Sequence, residues 1–270
     1  IARLVERAGA FIAGCVERAG ERLAQVSTTA SARDVDALRA ALGEEQISYL
    51  GVSYGAALGA AYAPLFPDRV RAMVLDGGYD PSARPDVLAG QRAAGQQRVL
   101  SGVLVDCARD PLCYFHNSGD SRAAFAALMT RVEGAPLVVG AGLPPVDQGE
   151  AWRAVLFGLS SPGLWTRLTM ALGEAQAGDG MELLLLSEES VHAAAEDPDA
   201  AVAVGCLDWP GRGDDAAGWF PQDLAEVSSR LGTAAAAFLC EQWPVAPQPV
   251  PSVRAGASGP VLVAAVTGDP

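Results

Sequence analysis

Gly51-Val52-Ser53-Tyr54-Gly55 is the stretch of this chain whose residue types and spacing most directly suggest chemistry. A serine hydroxyl is a weak nucleophile until a neighbouring base takes its proton. A sharp strand-to-helix turn supplies the geometry, because it lifts Oγ above the carboxyl edge of a parallel sheet, where a base can reach it. Side chains two before and two after such a serine would collide with the turn and the neighbouring strand. Glycine is therefore expected at 51 and 55 for steric reasons. The backbone N–H of Tyr54, first in the following helix, is expected to be one donor to a developing oxyanion. Gly59, one turn further on, is expected to let that helix approach the sheet closely. The bland alternative is a glycine-rich packing turn with no chemistry in it.

A nucleophile of this kind needs an acid and a base, and on a sheet of this kind the chain order is serine, acid, histidine. Asp269 in "VAAVTGDP" stands just past a strand-like run and is the expected acid; Asp76, after the strand that follows Ser53, is its rival. The chain has two histidines, His116 and His192, and both precede Asp269. Both are expected to be surface or insertion residues rather than the base, which would then lie beyond Pro270. The second oxyanion donor should come from a glycine-rich loop before Ser53, and residues 1–45 contain no such loop. The expectation is that this chain is an internal piece, or a processed fragment, of a longer hydrolase, with its N- and C-terminal segments as partners.

Around the serine the elements follow from periodicity. Residues 1–26 read as an amphipathic helix, and "TTASARDVDALRAALGEEQ" as a second, with a capping box at Ser31 and Asp34 and a stop at Gly43. "ISYLGV" is a short strand, "AALGAAYAPLF" a helix ending near Pro67, and Val70 to Leu75 a buried strand. Helix, strand, helix, strand at this spacing predicts an α/β domain with a parallel sheet. From about Arg84 to Pro251 the pattern is helical, with candidates at 86–108, 121–133, 148–158, 163–176, 179–188 and 222–240. "APLVVG" is one short strand there. Residues 243–260 read as a Pro/Gly-rich connector, after which "PVLVAAVTGDP" resumes the sheet.

Composition narrows the classes. The formal charge of −13 leaves no basic face for phosphates, so nucleic acid is not an expected partner. The charge favours solubility and, weakly, cationic ligands such as amines. No apolar run reaches the roughly 18–20 residues of a membrane span. Of the five cysteines, Cys107 and Cys113 flank a proline turn and suit a local disulfide, while Cys206 and Cys240 suit a longer one. The competing reading is five buried thiols in a reducing compartment. No CxxC pair occurs, and neither a metal nor another cofactor is expected.

Residues 28–81 resemble the tripeptidyl aminopeptidase group of the α/β-hydrolase superfamily, exported bacterial serine exopeptidases related to proline iminopeptidases. The resemblance rests on "ISYLGVSYG", "YAPLFPDRV" and "VLDG" followed by "DP", and more loosely on "GCLDWP", "CEQWP" and the terminal "TGDP". It implies an α/β-hydrolase core over 1–83 and 256–270, with a large helical cap over 84–255. Ser53 would be the nucleophile, Tyr54 an oxyanion donor and Asp269 the triad acid. It further implies a secreted or cell-envelope location, and a partner for Cys15 upstream. Ala56 stands where the group usually has threonine. The implied substrate is a peptide with a free N-terminus, its ammonium held by a carboxylate; Asp208 and Glu241 are the candidates, although a structural role for Asp208 is the stronger expectation. Trp209 and Trp243 are expected in the core rather than in a substrate pocket. The alternatives are an esterase or lipase-like hydrolase using the same serine, and an inactive binding module that keeps the turn alone.

Overall fold

The computed structural model describes residues 2–193, 198–208, 239–250 and 259–265. These fall into two compact units, one from Ile1–Gly90 with Pro198–Thr267 and one from Gln91–Asp197.

In the first unit, α1 (Ala2–Ala19) leads through a 3-10 turn to α2 (Thr28–Ala41), β1 (Ile47–Val52), α3 (Tyr54–Leu65) and β2 (Val70–Asp76). α9 (Pro198–Asp208) and β3 (Val261–Ala264) complete its regular elements among the described residues. The strands form a parallel sheet in the order β1-β2-β3, with Gly51 opposite Leu75 and Leu75 opposite Val263. The expected parallel α/β arrangement is therefore present, and "PVLVAA" does resume the sheet.

α2 begins earlier than its capping-box pattern predicts. Ser27, not Ser31, is the N-cap, and its hydroxyl accepts from the Ala30 N–H at 3.1 Å. Ser31 lies inside the helix, where its N–H bonds the Ser27 carbonyl, so it is not free to act as a cap. The C-terminus matches expectation. Gly43 takes φ 74°, its N–H bonds Ala40 O, and the Glu44 N–H bonds Arg39 O. That pair of bonds closes the last turn in a left-handed conformation that glycine adopts without Cβ strain.

α3 is rich in alanine and apolar on nearly every side. It packs with α2 against one sheet face, around Ala32, Ala56, Tyr62, Val70, Met73 and Leu75. A second cluster joins Cys15, Leu23, Cys206, Leu207, Cys240 and Trp243. α9 has no counterpart among the predicted helices. It is tied to residue 240 by the Cys206–Cys240 disulfide. As a result 198–208 and 239–250 group with residues 1–90, whereas the sequence pattern assigns them to one helical segment over 84–255.

The second unit is helical: the later part of α4 (Pro85–Arg109), then α5 (Ser121–Gly134), α6 (Gln148–Leu159), α7 (Trp165–Ala177) and α8 (Met181–Ala193). These follow the predicted segments closely. Its core includes Leu104, Phe115, Val155, Leu159, Leu168 and Leu186. Gly158 allows α6 to meet α7, since a Cβ there would lie 2.9 Å from Leu168 Cβ. The Cys107–Cys113 disulfide staples the end of α4 to the following turn. "APLVVG" forms no strand; Leu137 makes a single antiparallel bridge to Val146. Most of the predicted helix at 222–240 lies outside the described residues. Among the described residues no helix is long and apolar enough to cross a membrane.

Candidate active site

β1 delivers the chain to the carboxyl edge of the sheet at Val52, and α3 leaves from Tyr54. The single residue between them, Ser53, makes the whole reversal. It takes φ 55° and ψ −120°, a conformation that costs a non-glycine residue on the order of 1–3 kcal/mol. Both of its flanks hold it there. The Ser53 N–H bonds Asp76 O at 2.9 Å, and Ser53 O accepts from Ala56 N at 3.0 Å and Ala57 N at 3.3 Å. Ser53 itself is exposed.

The glycines on either side do different jobs. A Cβ on Gly51 would stand 2.3 Å from Gly55 O and 2.8 Å from Ala56 N, both backbone atoms that cannot swing away. A Cβ on Gly55 would meet only the Tyr49 hydroxyl, at 4.0 Å. The steric demand expected at both positions thus exists at 51 and not at 55. At 55 the backbone is fixed from outside, where Tyr49 Oη donates to its carbonyl at 2.7 Å. Gly59 behaves as predicted, with Leu75 Cδ2 and Tyr49 Cε1 each 2.6 Å from where its Cβ would be. Ala56 faces Gly78, whose own Cβ would come within 2.7 Å of Ala56 Cβ.

Tyr54 is the first residue of α3. A first-turn N–H has no carbonyl four residues back in its own helix, so it is left to bind something else. The phenol of Tyr54 points to the start of α2, where Oη is 2.9 Å from Thr28 Oγ1. Burial raises its pKa above the ordinary phenol value.

The other candidates separate. Asp208 ends α9 with both carboxylate oxygens on Thr28: Oδ1 accepts from the backbone N–H at 2.8 Å and Oδ2 from the hydroxyl at 2.5 Å. Burial raises its pKa, and the two Thr28 bonds oppose the shift. Glu241 is exposed. The Asp76 carbonyl holds Ser53, while its side chain is exposed at the sheet edge. His116 Nδ1 lies 3.1 Å from the Cys107 carbonyl, beside the disulfide of the helical unit, and His192 is an exposed residue of α8. Trp243 is buried in the cluster with Cys15 and faces Phe11. Asp269 and Trp209 lie outside the described residues.

Residues 16–117 match a family described as the alpha/beta hydrolase fold. The fold over these residues is that of an alpha/beta hydrolase. It is similar to serine protease Hip1 of Mycobacterium tuberculosis, 32% identical over 301 aligned positions covering 100% of this chain and 56% of that protein. It is also similar to the tripeptidyl aminopeptidase of Streptomyces lividans, at 34% with 94% of this chain and 49% of that one. A third relative is carboxylesterase B of M. tuberculosis, at 37% with 95% and 52% covered. The chain thus spans about half the length of the curated relatives it matches.

Thr28 is the member of this hydrolase domain's elbow region that sequence patterns do not reveal. Its signal is only local, a threonine just after an N-cap serine. Its partner Asp208 is 180 positions away, and nothing in the spacing links them.

Proposed function

We propose that the protein is a serine peptidase, an aminopeptidase that releases short peptides from free N-termini through an acyl-enzyme on Ser53. The observation that carries this reading is the backbone of Ser53: an exposed serine at φ 55° between a parallel strand and a helix. Strain of that kind persists where the surrounding structure over-determines it, and it is concentrated at functional sites. In the proposed reaction Ser53 Oγ loses its proton to a histidine base and attacks the substrate carbonyl. The Tyr54 N–H, oriented by the helix, donates to the oxyanion. The amine leaves with a proton, and water then releases the acyl group. Asp269 is the proposed acid behind the base. Triad order on this fold sets the base after the acid, so the full-length protein is the form to assay.

The net charge of −13 suits a cationic N-terminus. Of the two carboxylates proposed to receive it, Glu241 is exposed, whereas Asp208 is already engaged by Thr28. The disulfides Cys107–Cys113 and Cys206–Cys240 support a secreted or cell-envelope location.

A second reading has its own support. One relative bears the name carboxylesterase B, so ester hydrolysis at the same Ser53 competes with peptide hydrolysis. A fluorophosphonate probe tests the shared step: the full-length protein is expected to label at Ser53, and Ser53→Ala to abolish labelling. Undiminished labelling in Ser53→Ala sinks both readings. Turnover of matched amide and ester substrates then separates them, with peptide amides expected to be cleaved and an ester-only profile overturning the peptidase.

A further inference from the structure

Thr28 is the first residue of α2 and is 1% exposed. Its N–H is one of the helix's unsatisfied first-turn donors, and Asp208 Oδ1 takes it. Its hydroxyl has one proton to give. An ionised carboxylate can only accept, so that proton goes to Asp208 Oδ2 at 2.5 Å. With its proton committed, Thr28 Oγ1 can only accept from Tyr54 Oη, 2.9 Å away. The result is a chain with one direction: Tyr54 O–H to Thr28, and Thr28 O–H to Asp208. Tyr54 directly follows Ser53 and opens α3. Its side chain therefore ties the first turn of α3 to the first turn of α2 and the last residue of α9.

We infer that Asp208 is a positioning residue for acylation: through Thr28 and the Tyr54 phenol it holds the first turn of α3 so that the Tyr54 N–H stays aimed where the oxyanion develops. This rests on the serine-hydrolase reading above. Small displacements of such donors are expensive, with a shift of about 1 Å costing on the order of 100-fold in rate. A carboxylate that served only to cap α2 would affect stability and leave acylation per folded molecule unchanged.

The test uses the full-length protein, with the fluorophosphonate labelling rate of Ser53 and kcat and KM on a peptide amide all expressed per folded molecule. Tyr54→Phe and Thr28→Val are each expected to lower the labelling rate and kcat about tenfold, the scale of one lost hydrogen bond, with KM within about twofold. The double variant is expected to be no slower than the slower single, because both break one chain. Thr28→Ser keeps the hydroxyl and is expected to restore the parent rate. Parent-like labelling by Tyr54→Phe, an effect on KM alone, or a Thr28→Ser rate as low as that of Thr28→Val would each overturn the inference. If Thr28→Val does not fold, Tyr54→Phe decides. A parent protein that never labels at Ser53 removes the serine-hydrolase reading and this inference together; labelling that is indifferent to Tyr54→Phe removes this inference alone.

Discussion

At Ser53 a serine's side chain is worth more than its backbone comfort. The turn forces it to positive φ, and the neighbours that hold it there are backbone atoms of β2 and α3. The two glycines around it then make opposite predictions. Gly51→Ala drives a methyl into Gly55 O and Ala56 N and is expected to cost about 1–3 kcal/mol in denaturant unfolding. Gly55→Ala adds a methyl near nothing closer than the Tyr49 hydroxyl and is expected to stay within about 1 kcal/mol of the parent. Equal losses at both positions would show that the elbow is tighter at its helix side than these distances allow. Tyr49 belongs to the same reasoning, since its phenol spans from β1 to the Gly55 carbonyl and fixes the helix start without needing a small residue there.

Among the elements, α2 is held from several directions. Its first turn is met by Ser27, by Asp208 and, through Ser27, by Gln248, whose amide also donates to Ala24 O at 2.7 Å. Farther along, Arg39 Nε donates to Asp36 Oδ1 at 2.7 Å, and the buried Tyr62 of α3 donates to the same oxygen at 3.1 Å. Arg39 holds the Asp36 carboxyl below its ordinary range, with Tyr62 adding to it, and burial chiefly pushes the Tyr62 phenol up to about 12. A carboxyl depressed in the folded state contributes stability that is present above its unfolded value, about 3.9, and is lost as the pH falls through the folded value. Asp36→Asn is therefore expected to lower the thermal midpoint at pH 7, and the gap to the parent is expected to close as the pH drops below about 3.9. A gap that stays constant with pH would refute the assignment. α9 depends on a covalent tie. Cys206 and Cys240 are 34 positions apart, and replacing both with alanine is expected to cost about 3–4 kcal/mol, read from denaturant midpoints under oxidising conditions.

Among the described residues, the sheet has one well-packed face and one exposed face. Tyr49, Met73 and Leu75 lie against α2 and α3, while Leu50, Val52 and Leu262, on the opposite face, are each more than 60% exposed. Parallel sheets are ordinarily covered on both faces. The 1–270 chain on its own is expected to bind a hydrophobic dye and to self-associate, and Leu50→Lys with Leu262→Lys is expected to reduce both. A monodisperse, dye-free parent chain would contradict that exposure.

Much of this was legible from local pattern. The strand–serine–helix turn, the parallel pairing of β1, β2 and β3, the helices of the second unit and the two disulfides follow from signals a few residues long: glycines at the elbow, strand-forming runs, a proline turn between two cysteines. The sequence pattern puts the N-cap of α2 four residues late because Ser27 and Ser31 offer the same chemistry to a helix start, and only the backbone shows which one the helix uses. The single bridge at Leu137 reads as a strand in the sequence because an apolar run does not say whether a partner strand exists. α9 went unseen because its helical face is short and its packing against Cys15 and Leu23 is remote in sequence. What the sequence determined by itself is the strand–serine–helix turn, since a strand-forming run, the small residues around Ser53 and a helix-forming run after it are all local signals. What only the tertiary structure decided is who holds that elbow: Gly51 rather than Gly55 carries the close contact, and Asp208 reaches Tyr54 through Thr28. The first depends on the exact path of the turn, and the second joins segments up to 180 positions apart through packing, so no local pattern encodes either.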